Sequence, residues 1–154
     1  CTVCFSEPTI DTAIWRASEP GTAPPAKRLW VMEQLASAGV HVGVLAAPIL
    51  PGLTGTPEQL EATVRAAAEH GARFFWAGLL HLGELERDHY MRFLESEYPE
   101  LVTLHTRLYP GKYPPRVVAE RLEQKVAELK TQYGLVDQHR PQRLPQQLTL
   151  AFGT

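Results

Sequence analysis

Two short runs in this chain are almost unbroken in apolar residues, 40–47 (VHVGVLAA) and 72–80 (ARFFWAGLL). Runs this short, each entered just after a glycine, read as β-strands buried on both faces. A third β-rich run covers residues 2–6 (TVCFS). Each run is followed by a helical pattern, and a strand-then-helix repeat is the signature of βα units feeding a parallel sheet. The expected fold class is α/β, with three parallel strands, covering helices and right-handed crossovers.

The helices carry their own start and stop signals. Pro24 and Pro25 precede Leu29, Met32, Leu35 and Ala36 at helical spacing, and Gly39 closes that segment. Thr56 and Gln59 form a capping-box pattern around Pro57, followed by Leu60, Val64, Ala67 and Ala68 and a stop at Gly71. Residues 84–97 read as a helix closed by Pro99. Val118, Leu122, Val126, Leu129 and Tyr133 mark a final helix ending at Gly134. The expected organisation is a set of βα units over 1–97, a helical C-terminal extension over 98–134, and an aperiodic mobile tail over 135–154.

At 154 residues, with 44% hydrophobic and 21% charged content, the chain can bury a core. A formal charge of −2 and a pI near 6.3 leave no whole-surface footprint for a phosphate backbone. The basic residues Lys112, Arg116, Arg121, Lys125 and Lys130 interleave with Glu120, Glu123 and Glu128, a solvated face rather than a nucleic-acid stripe. Trp15, Trp30, Phe74, Phe75 and Trp76 read as core and sheet-covering residues, not as a base-stacking platform. No run approaches the roughly 18 apolar residues of a membrane helix, and no secretory leader pattern opens the chain, so a cytoplasmic protein without membrane partners is expected. The chain opens at Cys1, not Met, directly on a β-rich run, which suggests entry in mid-domain. Three strands cannot close a barrel, so more strands are expected upstream.

In parallel α/β sheets, ligands gather at the C-terminal strand ends, here Phe5 and Ser6, residues 48–53, and Leu80 with His81. The letters at these positions resemble a known family. Cys4-Phe5-Ser6, Glu19-Pro20-Gly21-Thr22 with Arg28-Leu29, Ala38-Gly39 and Ala47-Pro48-Ile49 look like the fourth strand, its loop and helix, and the fifth strand of spore-photoproduct-lyase-like radical S-adenosylmethionine proteins. Leu79-Leu80-His81, Tyr98-Pro99 and residues 108–113 (LYPGKY) resemble the sixth strand and the helical close of the same family. The resemblance covers residues 2 to 134.

It implies the C-terminal half of a partial, TIM-like (β/α)6 barrel. In the complete protein a [4Fe-4S] cluster would bind S-adenosylmethionine and cleave it to a 5′-deoxyadenosyl radical. The family's three-cysteine cluster loop is not in this chain, so cluster and radical chemistry belong to the parent enzyme, and this part alone is expected to be inactive. Its expected partners are the small-molecule cofactor and the N-terminal half of the barrel, with nucleic acid possible through the family alone. Cys1 and Cys4 do not replace the loop, because residues three apart on a strand face opposite sides. No metal ligand is assigned here.

By the resemblance, Ser6 matches a serine that contacts S-adenosylmethionine, and the alternative reading is a strand-end serine tying down the next loop. Pro48, Ile49 and Gly52 are read as an adenine slot on a Pro-Gly turn, or as the turn alone. Arg28 either faces a ligand carboxylate or pairs with Glu19 to pin a loop, and a solvated surface pair is the plain alternative. His81 and Glu19 are possible substrate-side contacts, with a structural histidine as the competing reading of His81. The loop after Ile49 (LPGLT) departs from the repair lyase, so photoproduct repair is not carried over. A stand-alone α/β ligand- or partner-binding module is the rival reading of the whole.

Overall fold

The computed structural model describes residues 1–135. The elements run β1 (Thr2–Ser6), α1 (Thr12–Ser18), α2 (Pro25–Ser37), β2 (His41–Ile49), α3 (Pro57–Glu69), β3 (Phe74–Leu79), α4 (Glu84–Glu97), a single 3-10 turn (Pro99–Leu101), α5 (Val102–Leu108) and α6 (Arg116–Gln132). The strands form one parallel sheet in the order β1-β2-β3. The α/β class, the three parallel strands and the four expected helices are all present. Of the expected tail, Leu135 is 2% exposed and donates its amide to the Lys130 carbonyl; positions 136–154 lie outside the described residues.

Two helices escaped the sequence reading. Each has seven residues, too few to show a period. The first is set by its cap: Asp11 accepts from the amides of Ala13 (2.8 Å) and Ile14 (3.1 Å). At α3, Thr56 accepts from the Gln59 amide at 3.3 Å. The Gln59 side chain does not close the capping box and instead reaches toward Thr9 and Asp11.

The strands are not buried on both faces as expected. Register places Val3, Val42 and Phe75 with Phe5, Val44, Ala46 and Ala77 on one face, and Thr2, Cys4, Ser6, Gly43, Leu45, Phe74 and Trp76 on the other. The first face packs against Leu29 and Met32 of α2, Leu60, Val64 and Ala67 of α3, and Leu122, Val126 and Leu129 of α6 in one core. The second face is open among the described residues. Leu45 is 42% and Trp76 60% exposed, and Cys4 and Ser6 are exposed beside them. The apolar run misleads because it records hydrophobicity on both faces while helices cover only one. Phe75 is core as expected, but Trp76, and Trp30 on α2 at 57%, are not.

On the open face Gly43 is required. A Cβ there would collide with the Phe74 ring, which stacks on His41 with centroids 5.3 Å apart. Strand β2 runs two residues beyond the expected end, through a cis Ala47–Pro48 bond, and its pairing with β3 shifts between Ala46 and Ile49. An irregularity is where a central strand tolerates a residue with no N–H.

Candidate functional site

Three segments leave the sheet at its C-terminal edge, and two polar ties fix them. The first centres on Arg28. Its Nη1 donates to the Ser6 carbonyl (2.9 Å) and to Glu19 Oε2 (3.2 Å), and its Nη2 donates to the same Glu19 oxygen at 3.1 Å. Nη2 also lies 3.1 Å from Glu7 Oε1, without the alignment of a hydrogen bond. Glu7 is 1% exposed, and both its oxygens lack a hydrogen-bond donor among the described residues. Burial pushes its carboxyl up to about 7; the Arg28 charge opposes the shift and the Glu19 charge adds to it. One guanidinium thus serves two carboxylates and a strand-end carbonyl. The Glu19 loop is held further by Trp15, whose Nε1 donates to Thr22 Oγ1 at 2.9 Å, and by the Thr22 hydroxyl, which donates to the Glu19 carbonyl at 3.0 Å.

The second tie centres on His105, 1% exposed on α5. Its Nε2 lies 2.8 Å from the Pro51 carbonyl, which only accepts, so Nε2 carries the proton. The Nδ1 of the neutral ring then accepts from the Tyr90 hydroxyl at 3.1 Å. Burial holds the imidazole below its ordinary value, partly offset by the bond to Pro51. Burial, with Tyr109 nearby, raises Tyr90 above the usual phenol range. Within the same loop, Thr54 Oγ1 accepts from the Leu50 amide at 2.8 Å.

Between these ties lies a cavity of about 600 Å³. Pro8, Pro48 and Leu80 reach it from just beyond or at the ends of the three strands, with Leu50 beside them. One wall is the end of α1 and its loop, including Ser18 and Glu19. A further part of the lining is α4, through His89, Tyr90, Arg92 and Phe93. Ile14, Leu50 and Leu53 form a small apolar cluster, against which Leu80, Tyr90, Tyr98 and Leu101 pack.

Of the residues singled out from sequence, Glu19 and Pro48 line this cavity. Arg28 stands behind Glu19 with its side chain 13% exposed, holding the loop. Ser6 lies on the open sheet face. The loop is tied through its carbonyl, and no hydrogen bond of its hydroxyl is found among the described residues. Ile49 is 1% exposed with its side chain in the main core, and its carbonyl accepts from the Leu80 amide at 3.0 Å. Gly52 has φ +76°, and a Cβ there would meet Leu104 at 2.9 Å and Leu101 at 3.0 Å, so both the turn and close packing require glycine. His81 is exposed and packs edge-on against Tyr113 with centroids 4.7 Å apart, outside the cavity lining.

Sequence reading missed Glu7 and the α4 wall. Glu7 carries a signal in hindsight: an acidic residue one step past an apolar strand, with an arginine on the next helix. The α4 residues have only the spacing of 89, 90, 92 and 93 along one face. Among the described residues, no group of three or more His, Cys, Asp or Glu is placed to hold a metal ion. Nor is any helix among them long and apolar enough to cross a membrane.

Over 132 residues the chain is 36% identical to uncharacterized proteins of Mycobacterium tuberculosis and Mycobacterium bovis. The match takes in 85% of this chain and 39% of each relative, so the chain spans well under half the length of the curated relatives it matches. No family model matches the chain. No solved structure matches it.

Proposed function

We propose that this chain is the C-terminal half of a radical S-adenosylmethionine barrel whose cluster-bearing half lies in the rest of the parent protein, its substrate unassigned. The observation that carries the reading is the one-sided sheet. Parallel sheets are ordinarily covered on both faces, yet here Cys4, Ser6, Leu45 and Trp76 line a face that no helix among the described residues covers. In a closed barrel that face is the interior, filled by side chains from the other strands. The length of the relatives agrees, since more than half of each lies outside the matched region.

The residues present fit the two cofactors unequally. Cys1 and Cys4 are free and exposed but make no cluster site, so the [4Fe-4S] ligands are assigned to the parent's other half. S-adenosylmethionine fits better: Ser6 offers an uncommitted hydroxyl at a strand end, and Pro48 presents a ring to the cavity. When bound, the cluster and S-adenosylmethionine supply the radical. This chain's part is to bind and orient. The Arg28 clamp sets the Ser6 carbonyl and the Glu19 loop, and the His105 tie sets the loop after Pro48. Ile49 and Gly52 shape that loop from below. A stand-alone ligand-binding module is the second reading, favoured by a cavity formed from this chain's residues alone.

The test is equilibrium binding of S-adenosylmethionine to the complete protein with Ser6→Ala. Weaker binding with an unchanged fold supports the assigned contact, and unchanged affinity removes it.

A further inference from the structure

The strand-end cavity sets ring-bearing side chains beside a cation that makes no ion pair among the described residues. The rings of Pro8, Pro20, Pro48, His89, Tyr90 and Phe93 contribute to its lining. Phe93 is braced edge-on by Tyr98, with centroids 5.8 Å apart, and Tyr90 by its bond to His105. Such a slot favours a flat apolar ring, which stacks on proline and aromatic faces. Glu19 is the one carboxylate in the lining, and both terminal nitrogens of Arg28 hold its Oε2. Glu7 is buried beyond that clamp and does not line the cavity. Arg92 also lines the cavity, and it has no ion pair among the described residues. The spacing of Asp88 and Arg92 would allow a helical pair, but none forms. An uncommitted guanidinium at the lip of an apolar slot is a bidentate donor for an anion.

We infer that the cavity binds an aromatic acid, a flat apolar ring seated between Pro48 and Phe93 with one carboxylate turned to Arg92. The inference rests on the cavity and needs neither iron nor S-adenosylmethionine; on the Pro48 surface the two ligands would exclude one another.

The experiment titrates the complete protein with 2-naphthoic acid, its neutral amide 2-naphthamide and the cationic 2-naphthylmethylamine, following α4 amide shifts by NMR. Naphthoate should bind tightest and shift the amides around Arg92 and Phe93. Arg92→Gln, at an exposed position where folding is not at stake, should weaken naphthoate about fivefold and leave naphthamide unchanged. Naphthoate binding no better than naphthamide, or indifferent to Arg92→Gln, overturns the inference. Failure here with S-adenosylmethionine cleavage intact removes only this inference; binding intact in a protein that carries no cluster removes only the radical reading.

Discussion

His105 Nε2 donates to the Pro51 carbonyl at 2.8 Å across 54 positions of sequence, joining α5 to the loop that follows the central strand. The bond requires the neutral, Nε2-protonated ring, and Tyr90 secures that tautomer from the other nitrogen. Replacing His105 with Ala leaves a buried carbonyl unpaired and should cost roughly 1–3 kcal/mol in urea unfolding. The folded-state value lies below the ordinary 6.5, so this contribution is present above pH 6.5 and is lost as pH falls through the folded value. His105→Gln should flatten that acid limb of the stability curve.

Glu7 acts in the opposite direction. Its carboxyl is raised from 4.5 to about 7, so the folded state holds a proton that the unfolded state has released. Stability should fall by roughly 1–3 kcal/mol as pH rises from 4.5 through 7. Glu7→Gln should remove this slope and leave the protein more stable than wild type at pH 8. An unchanged slope in the variant would place the titrating group elsewhere.

Arg28 is the only cation in ion-pairing reach of Glu7 and Glu19 among the described residues. Arg28→Met should therefore cost roughly 3–5 kcal/mol at pH 7.5, as expected when one partner of a buried pair is removed. Pairing it with Glu7→Gln should recover part of the loss, and the double-mutant cycle measures how much of the cost is stranded charge.

These polar ties also mark the limit of what the residue order reveals. The βα alternation, the three strands and four helices were legible because periodicity and caps are local: Thr56 starts α3 through its own Gln59 amide. The open sheet face was not, because Leu45 and Val44 are equally apolar letters and only the helix layer makes one exposed and the other buried. In the site, Pro48 was found from strand-end logic and Glu19 through the family resemblance and its pairing with Arg28. Tyr90, Arg92 and Phe93 were missed because their partners lie dozens of residues away across a cavity that no local pattern encodes.

The two sheet faces should respond differently to truncation. Leu129→Ala removes a fully buried side chain from the helix-covered core and should cost roughly 2–5 kcal/mol. Trp76→Ser, on the open face, should cost less than about 1 kcal/mol in this chain alone. In the complete protein, where a barrel would close over it, the same change should cost as much as a core truncation.

If this chain is one half of a radical barrel, the rest of the parent protein must carry a cluster that cleaves S-adenosylmethionine. Anaerobic reconstitution of the complete protein with iron and sulfide, followed by assay for 5′-deoxyadenosine from S-adenosylmethionine under reducing conditions, tests that claim most directly. The expected result is a bound [4Fe-4S] cluster, 5′-deoxyadenosine formation, and a reduced yield in Ser6→Ala. A complete protein that folds yet takes up no cluster and forms no 5′-deoxyadenosine would contradict it.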